Sequence, residues 1–141
     1  MGQAKSGSGP FAQCRPGMID FIQTRIHSFR YAFAGWWYVL RTQRNAWVHA
    51  VASTLVGLLA FWLRLNLQEW AILILTIAMV WTAEFINTAL EAIVDLASPQ
   101  HHPLAKVGKD VGAAAVLIAS LASVLVGLLI LGPPLWARLF G

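Results

Sequence analysis

Three long apolar runs limit what this chain can become. Ala46 to Leu63 contains His49 as its one ionisable residue, Trp70 to about Val94 is apolar until Glu84, and Val111 to Leu131 carries no charge. Each run approaches the ~20 residues that an α-helix needs to cross a hydrocarbon core of about 30 Å, and a helix satisfies its backbone groups within one segment. Composition agrees. Of the 141 residues 58% are hydrophobic and 11% charged, which excludes a soluble domain with a water-facing surface of its own. The expected fold is all-α and integral to the membrane, one domain over residues 18–141 with spans at about 46–63, 70–94 and 111–131.

Residues 1–17, MGQAKSGSGPFAQCRPG, are rich in Gly, Ser and Pro and lack an apolar core. They read as a disordered N-terminal tail, neither signal peptide nor span. Cys14 stands alone and forms no internal disulfide. From 18 to 40, Ile19, Ile22, Ile26, Phe29, Phe33, Trp36 and Leu40 recur in steps of three and four with Asp20, Gln23, His27 and Arg30 between them. That pattern predicts an amphipathic surface helix lying in the membrane interface.

The net charge of +4 is scattered along helix flanks, without a basic run or aromatic platform, so nucleic acid is not the expected partner. The bilayer surface is. Lys and Arg at positions 5, 15, 25, 30, 41, 44, 106 and 109 fall on one side of the three spans and Arg64 and Arg138 on the other. The positive-inside bias then puts the N-terminus and the second loop in the cytoplasm.

The second span holds a contradiction, because AEFINTALEAIVDL, residues 83–96, places acids in a lipid-facing run. At ~1.5 Å per residue from Trp70, Glu84 lies about 21 Å in and Glu91 about 32 Å in, at the cytoplasmic boundary. At ~100° per residue Glu84, Asn87, Glu91 and Asp95 share an arc of about 80°. Polar membrane residues often only fix helix packing, which is an adequate reading for Asn87 alone. A carboxylate at the depth of Glu84 costs roughly 2.5 kcal/mol or more and normally persists for function. Four of the six acids lie between residues 84 and 110, which argues for one polar site.

Downstream, SPQHHPLAKVGKDVGAAAV carries Lys106 and Lys109 onto the first turns of the third span, where an anionic phosphate can meet both a cation and the membrane. Lys106 has an ordinary alternative, an ion pair with Asp110 four residues on. Neither His101 nor His102 belongs to a zinc pattern, since no Cys or spaced carboxylate completes one. Gly108, Gly112 and Ala113 to Ala115 permit close helix approach, and three spans enclose a polar site poorly, so oligomerisation is expected.

Glu84, Asn87, Thr88, Ala89, Glu91 and Asp95, followed by Lys109 and Asp110, resemble the signature of the prokaryotic diacylglycerol kinase and undecaprenol kinase family. FRYAFAG at 29–35 and RNAWVH at 44–49 extend the resemblance. It implies an ATP-dependent lipid kinase of the bacterial inner membrane, a homotrimeric helical bundle with composite sites between subunits. By matching positions, Glu84 would be the general base toward the lipid hydroxyl, with Asn87 beside it. Glu91 would bind the Mg2+ that accompanies ATP. Lys109 and Asp110 would contact the nucleotide, and Tyr31 and His102 would line its site. Phosphoryl transfer needs in-line positioning, neutralised phosphate charge and a group to take the hydroxyl proton, and these residues supply all three. VGKD is not a Walker motif.

One position departs from the family pattern. Where the family has a metal-binding glutamate ahead of the first span, this chain has Gln43, which keeps an oxygen donor but loses the charge. A catalytically weak member serving as a membrane-complex subunit is one alternative, and a small proton-coupled transporter using Glu84 as carrier site is another. A transporter favours an acid near the midplane with access from both faces, whereas this ladder opens to one side.

Overall fold

The computed structural model describes residues 18–98, 100 and 102–141, and its four elements are all helices. They are α1 (Met18–Thr42), α2 (Arg44–Leu63), α3 (Leu67–Ala97) and α4 (Pro103–Phe140). The expected tail at 1–17 and His101 lie outside the described residues. Two compact units divide at Trp36, and the site-bearing one comprises Trp37–Gly141. In the other, α1 exposes Phe29, Tyr31 and Phe33.

The helices outrun the apolar runs that foretell them. At ~1.5 Å per residue the 31 residues of α3 extend about 46 Å and the 38 of α4 about 57 Å, beyond a ~30 Å core. Hydropathy marks where lipid ends, whereas capping marks where the helix ends. Asn66 caps α3, its side chain accepting from Gln68 N at 2.9 Å and Glu69 N at 3.0 Å, while Glu69 accepts from the Asn66 backbone at 2.8 Å. Arg64, at φ 57° and ψ 49°, closes α2 in the left-handed conformation. His102 caps α4, Nδ1 accepting from Leu104 N at 3.2 Å, and Pro103 stands at the first helical position, where its missing N–H costs nothing.

Among the three apolar helices, α3 is the most buried. Ala60, Leu63, Leu65, Leu73 and Leu131 form one core cluster toward the α2–α3 turn, and Val39, Ala46 and Trp81 form another toward the start of α2. Trp81 Nε1 donates to Ser53 Oγ at 3.2 Å, which ties α3 to α2. Many large apolar side chains of α2 and α4, including Leu55, Leu58, Leu121 and Leu128, remain exposed. Such an outward face suits lipid and not water.

Candidate active site

The polar face of α3 runs from interior to surface. Glu84 is 1% exposed and Asn87 6%, Glu91 is half-buried and Asp95 is exposed. Thr88, also buried, satisfies its hydroxyl within the helix by donating to the Glu84 carbonyl at 2.9 Å.

Gln43 is the single residue that interrupts the path from α1 into α2, with an extended backbone (φ −102°, ψ 117°) and no capping bond from its side chain. Freed from that duty, its Nε2 donates to Glu91 Oε2 at 3.0 Å, and Asn87 Nδ2 donates to Glu91 Oε1, also at 3.0 Å. Glu91 is therefore held between two amides. Each amide also carries an oxygen, but that of Asn87 lies against Gly112, so Glu91 and Gln43 offer one carboxylate and one neutral donor. Among the described residues no three His, Cys, Asp or Glu side chains converge. Such a set suits Mg2+, which takes one or two carboxylates and completes its shell with phosphate and water.

Glu84 looks into a cavity of about 370 Å³ between α2, α3 and α4, whose polar lining includes Gln43, His49, Asn87, Glu91 and Ser120. Both Glu84 carboxylate oxygens and His49 Nε2 are buried without a hydrogen-bond partner, as is Asn87 Oδ1 on the side toward Gly112. Leaving such groups unpaired is costly, and a carboxylate most of all. The arrangement is one that a polar ligand completes. Behind Asn87, α4 approaches so closely that a Cβ on Gly112 would collide with the Asn87 amide oxygen.

A larger cavity, about 790 Å³, opens one turn further along α3 and is lined by Asp95, His102, Lys106, Lys109 and Asp110 among others. Lys109 Nζ is paired with Asp95 across the two helices. Lys106 pairs with Asp110 at 3.2 Å within α4, both largely exposed, so the ordinary reading of Lys106 holds. The structure thus brings Gln43, Glu84, Asn87 and Glu91 around one cavity and His102, Lys109 and Asp110 around the next. Tyr31 lies on α1 in the other compact unit and is exposed.

His49, the last residue of RNAWVH, also lines the cavity of Glu84, although no site role is expected for it from the sequence. Its Nε2 lies 3.8 Å from Glu84 Oε2. The signal for it is present all the same, since it is the one ionisable residue of its span, and the rule that singles out Glu84 applies to it equally.

Three membrane-length helices, with a cavity between them lined by Glu84 and Glu91, describe a polytopic membrane protein. Residues 30–131 match the model of the prokaryotic diacylglycerol kinase family. The chain belongs to that family and is a lipid kinase. It is 43% identical over 108 residues to the undecaprenol kinase of Bacillus subtilis, covering 77% of this chain and 88% of that one. It is 47% identical over 109 residues to the diacylglycerol kinase of Synechocystis, covering 77% of this chain and 62% of the relative. To the diacylglycerol kinase of Escherichia coli K12 it is 35% identical over 89 residues, 58% of this chain and 73% of that one.

Proposed function

We propose that this kinase transfers the γ-phosphate of ATP to the hydroxyl of undecaprenol or diacylglycerol at the cytoplasmic face of the bacterial inner membrane. The observation that carries the reading is Glu84, fully buried, with both oxygens unpaired, in the lining of a cavity that it shares with Glu91. In this reading the lipid hydroxyl enters that cavity and gives its proton to Glu84. Asn87 steadies Glu91 beside it. Lys109, released from Asp95, neutralises phosphate charge, and Asp110 and His102 line the nucleotide cavity with it. For Tyr31, a nucleotide-binding role rests on family resemblance alone.

Mg2+ bound with ATP would be held by Glu91 and the Gln43 amide oxygen, and it would screen the charge of the phosphates. Gln43 makes this a weaker site than a pair of carboxylates would. The three spans leave much apolar surface exposed on one chain, and a homotrimer with sites shared between subunits accounts for part of it. The exposed aromatic residues of α1 support placing that helix in the interface. Neither the transporter nor the inactive-subunit alternative gains support from the relatives, which are named as kinases.

The test is to supply purified protein in lipid bicelles with ATP-Mg and each alcohol separately, and to measure phosphorylated lipid. Activity on one alcohol and its loss in Glu84→Gln are expected. If neither the natural chain nor Gln43→Glu phosphorylates either alcohol, the proposal is wrong.

A further inference from the structure

His49 projects from α2 to the same cavity as Glu84 and has no place in the steps above. Its Nε2 is buried, lacks a hydrogen-bond partner and lies 3.8 Å from Glu84 Oε2, too far for a direct hydrogen bond. Two unpaired polar groups this close, in the lining of one cavity, call for a shared partner, and a hydroxyl that enters from the cavity as the side chains give way accepts from one and donates to the other. The imidazole is not placed by chance. Trp81 meets its ring edge-on at a centroid distance of 6.3 Å and an interplanar angle of 65°, and Trp81 is itself tied to Ser53 one turn along α2.

We propose that His49 is a further substrate-contacting residue, which donates from Nε2–H to the oxygen of the acceptor hydroxyl while Glu84 accepts that hydroxyl's proton. This rests on the assignment of Glu84 as general base. The two groups have complementary tasks: the carboxylate sets the direction of the O–H bond and the imidazole holds the oxygen. In the transfer, the O–H bond breaks with its proton passing to Glu84 and the oxygen forms a bond to the γ-phosphorus. The bond from that phosphorus to the bridging oxygen breaks, and its electron pair leaves with ADP. The Nε2–H bond strengthens as negative charge gathers on the acceptor oxygen, which is the kind of contact that lowers a barrier. His49 also lines a smaller cavity of about 80 Å³ on its other side, with Ser53, Thr76 and Ser123. It therefore closes the reaction cavity on the side away from Glu91, which limits how deeply an alcohol enters.

The experiment compares His49→Phe, His49→Gln and Glu84→Gln in bicelles with ATP-Mg and diacylglycerol or undecaprenol, reading kcat and KM for lipid and for ATP separately. His49→Phe keeps a flat ring against Trp81 but removes the donor. It should lower kcat/KM for the lipid by about a hundredfold and leave KM for ATP within about twofold. His49→Gln restores an N–H donor and should recover most of the loss. A Phe variant as active as the natural chain, or Phe and Gln variants equally impaired, overturns the proposal. Glu84→Gln at full activity removes the general base itself and the proposal with it, whereas an inactive Glu84→Gln beside an unimpaired His49→Phe overturns the role of His49 alone. Should the Phe variant fail to fold, the imidazole ¹⁵N resonances of the natural protein decide: Nε2 must shift when the lipid alcohol is added without ATP, and an unmoved resonance overturns the contact.

Discussion

Gln43 Nε2 donates to Glu91 Oε2 at 3.0 Å, across 48 residues of sequence, so the residue proposed to stand in for a metal-binding glutamate faces the carboxylate proposed to share the metal. An amide in that position pairs with Glu91 without a cation. A carboxylate would repel it unless a cation lay between.

Gln43→Glu should therefore lower the half-saturating Mg2+ concentration about threefold or more. It should also make thermal stability depend on Mg2+, with a lower midpoint in chelator than the natural chain shows. Kinase activity and unfolding, each titrated with Mg2+, check both effects. Unchanged curves would remove Gln43 from the metal.

Gly112→Ala should disturb the site from the opposite side. The added Cβ collides with the Asn87 amide oxygen, and turning that amide away breaks its 3.0 Å bond to Glu91. Stability should fall by about 1–3 kcal/mol and kcat by about tenfold to a hundredfold. Gly108→Ala is the control, because its Cβ would meet only Val94 Cγ2 at an ordinary 3.8 Å. Both effects appear in unfolding and turnover measured on the two variants.

Lys109 and Lys106 should separate cleanly. Lys109 bridges α4 to α3 through Asp95 at the cavity proposed for the nucleotide, and Lys109→Ala should raise KM for ATP by about ten- to a hundredfold. Lys106 spends its charge on an exposed pair four residues away, so Lys106→Ala should change KM by less than about threefold. ATP titrations of both variants decide it, and equal effects would contradict the division of roles.

Asn66→Ala should weaken the fold without touching chemistry. It removes the cap that accepts from Gln68 N and Glu69 N and should cost about 1 kcal/mol. Asn66 stands about 27 Å along the helix axis from Glu84, so kcat at low temperature should not change. Unfolding in mixed micelles and an activity assay well below the midpoint measure the two independently.

The three apolar helices and the polar face of α3 are legible in the sequence by itself, because lipid length and helical angle are local properties. Glu84, Asn87, Glu91 and Asp95 needed only the 3.6-residue period to be put on one face. Helix ends were less legible, since α3 and α4 continue past the lipid until Asn66, Ser98 and His102 cap them. Tertiary structure alone decided what that face meets. Which side chains of α2 and α4 reach it depends on how each helix is rotated and where the chain breaks at Gln43, and hydropathy holds no information on either. Thus Lys109 came to Asp95 and His49, the one ionisable residue of its span, to the buried carboxylate of Glu84, while Gln43, which family resemblance puts at the metal with Glu91, reached that residue through a direct hydrogen bond.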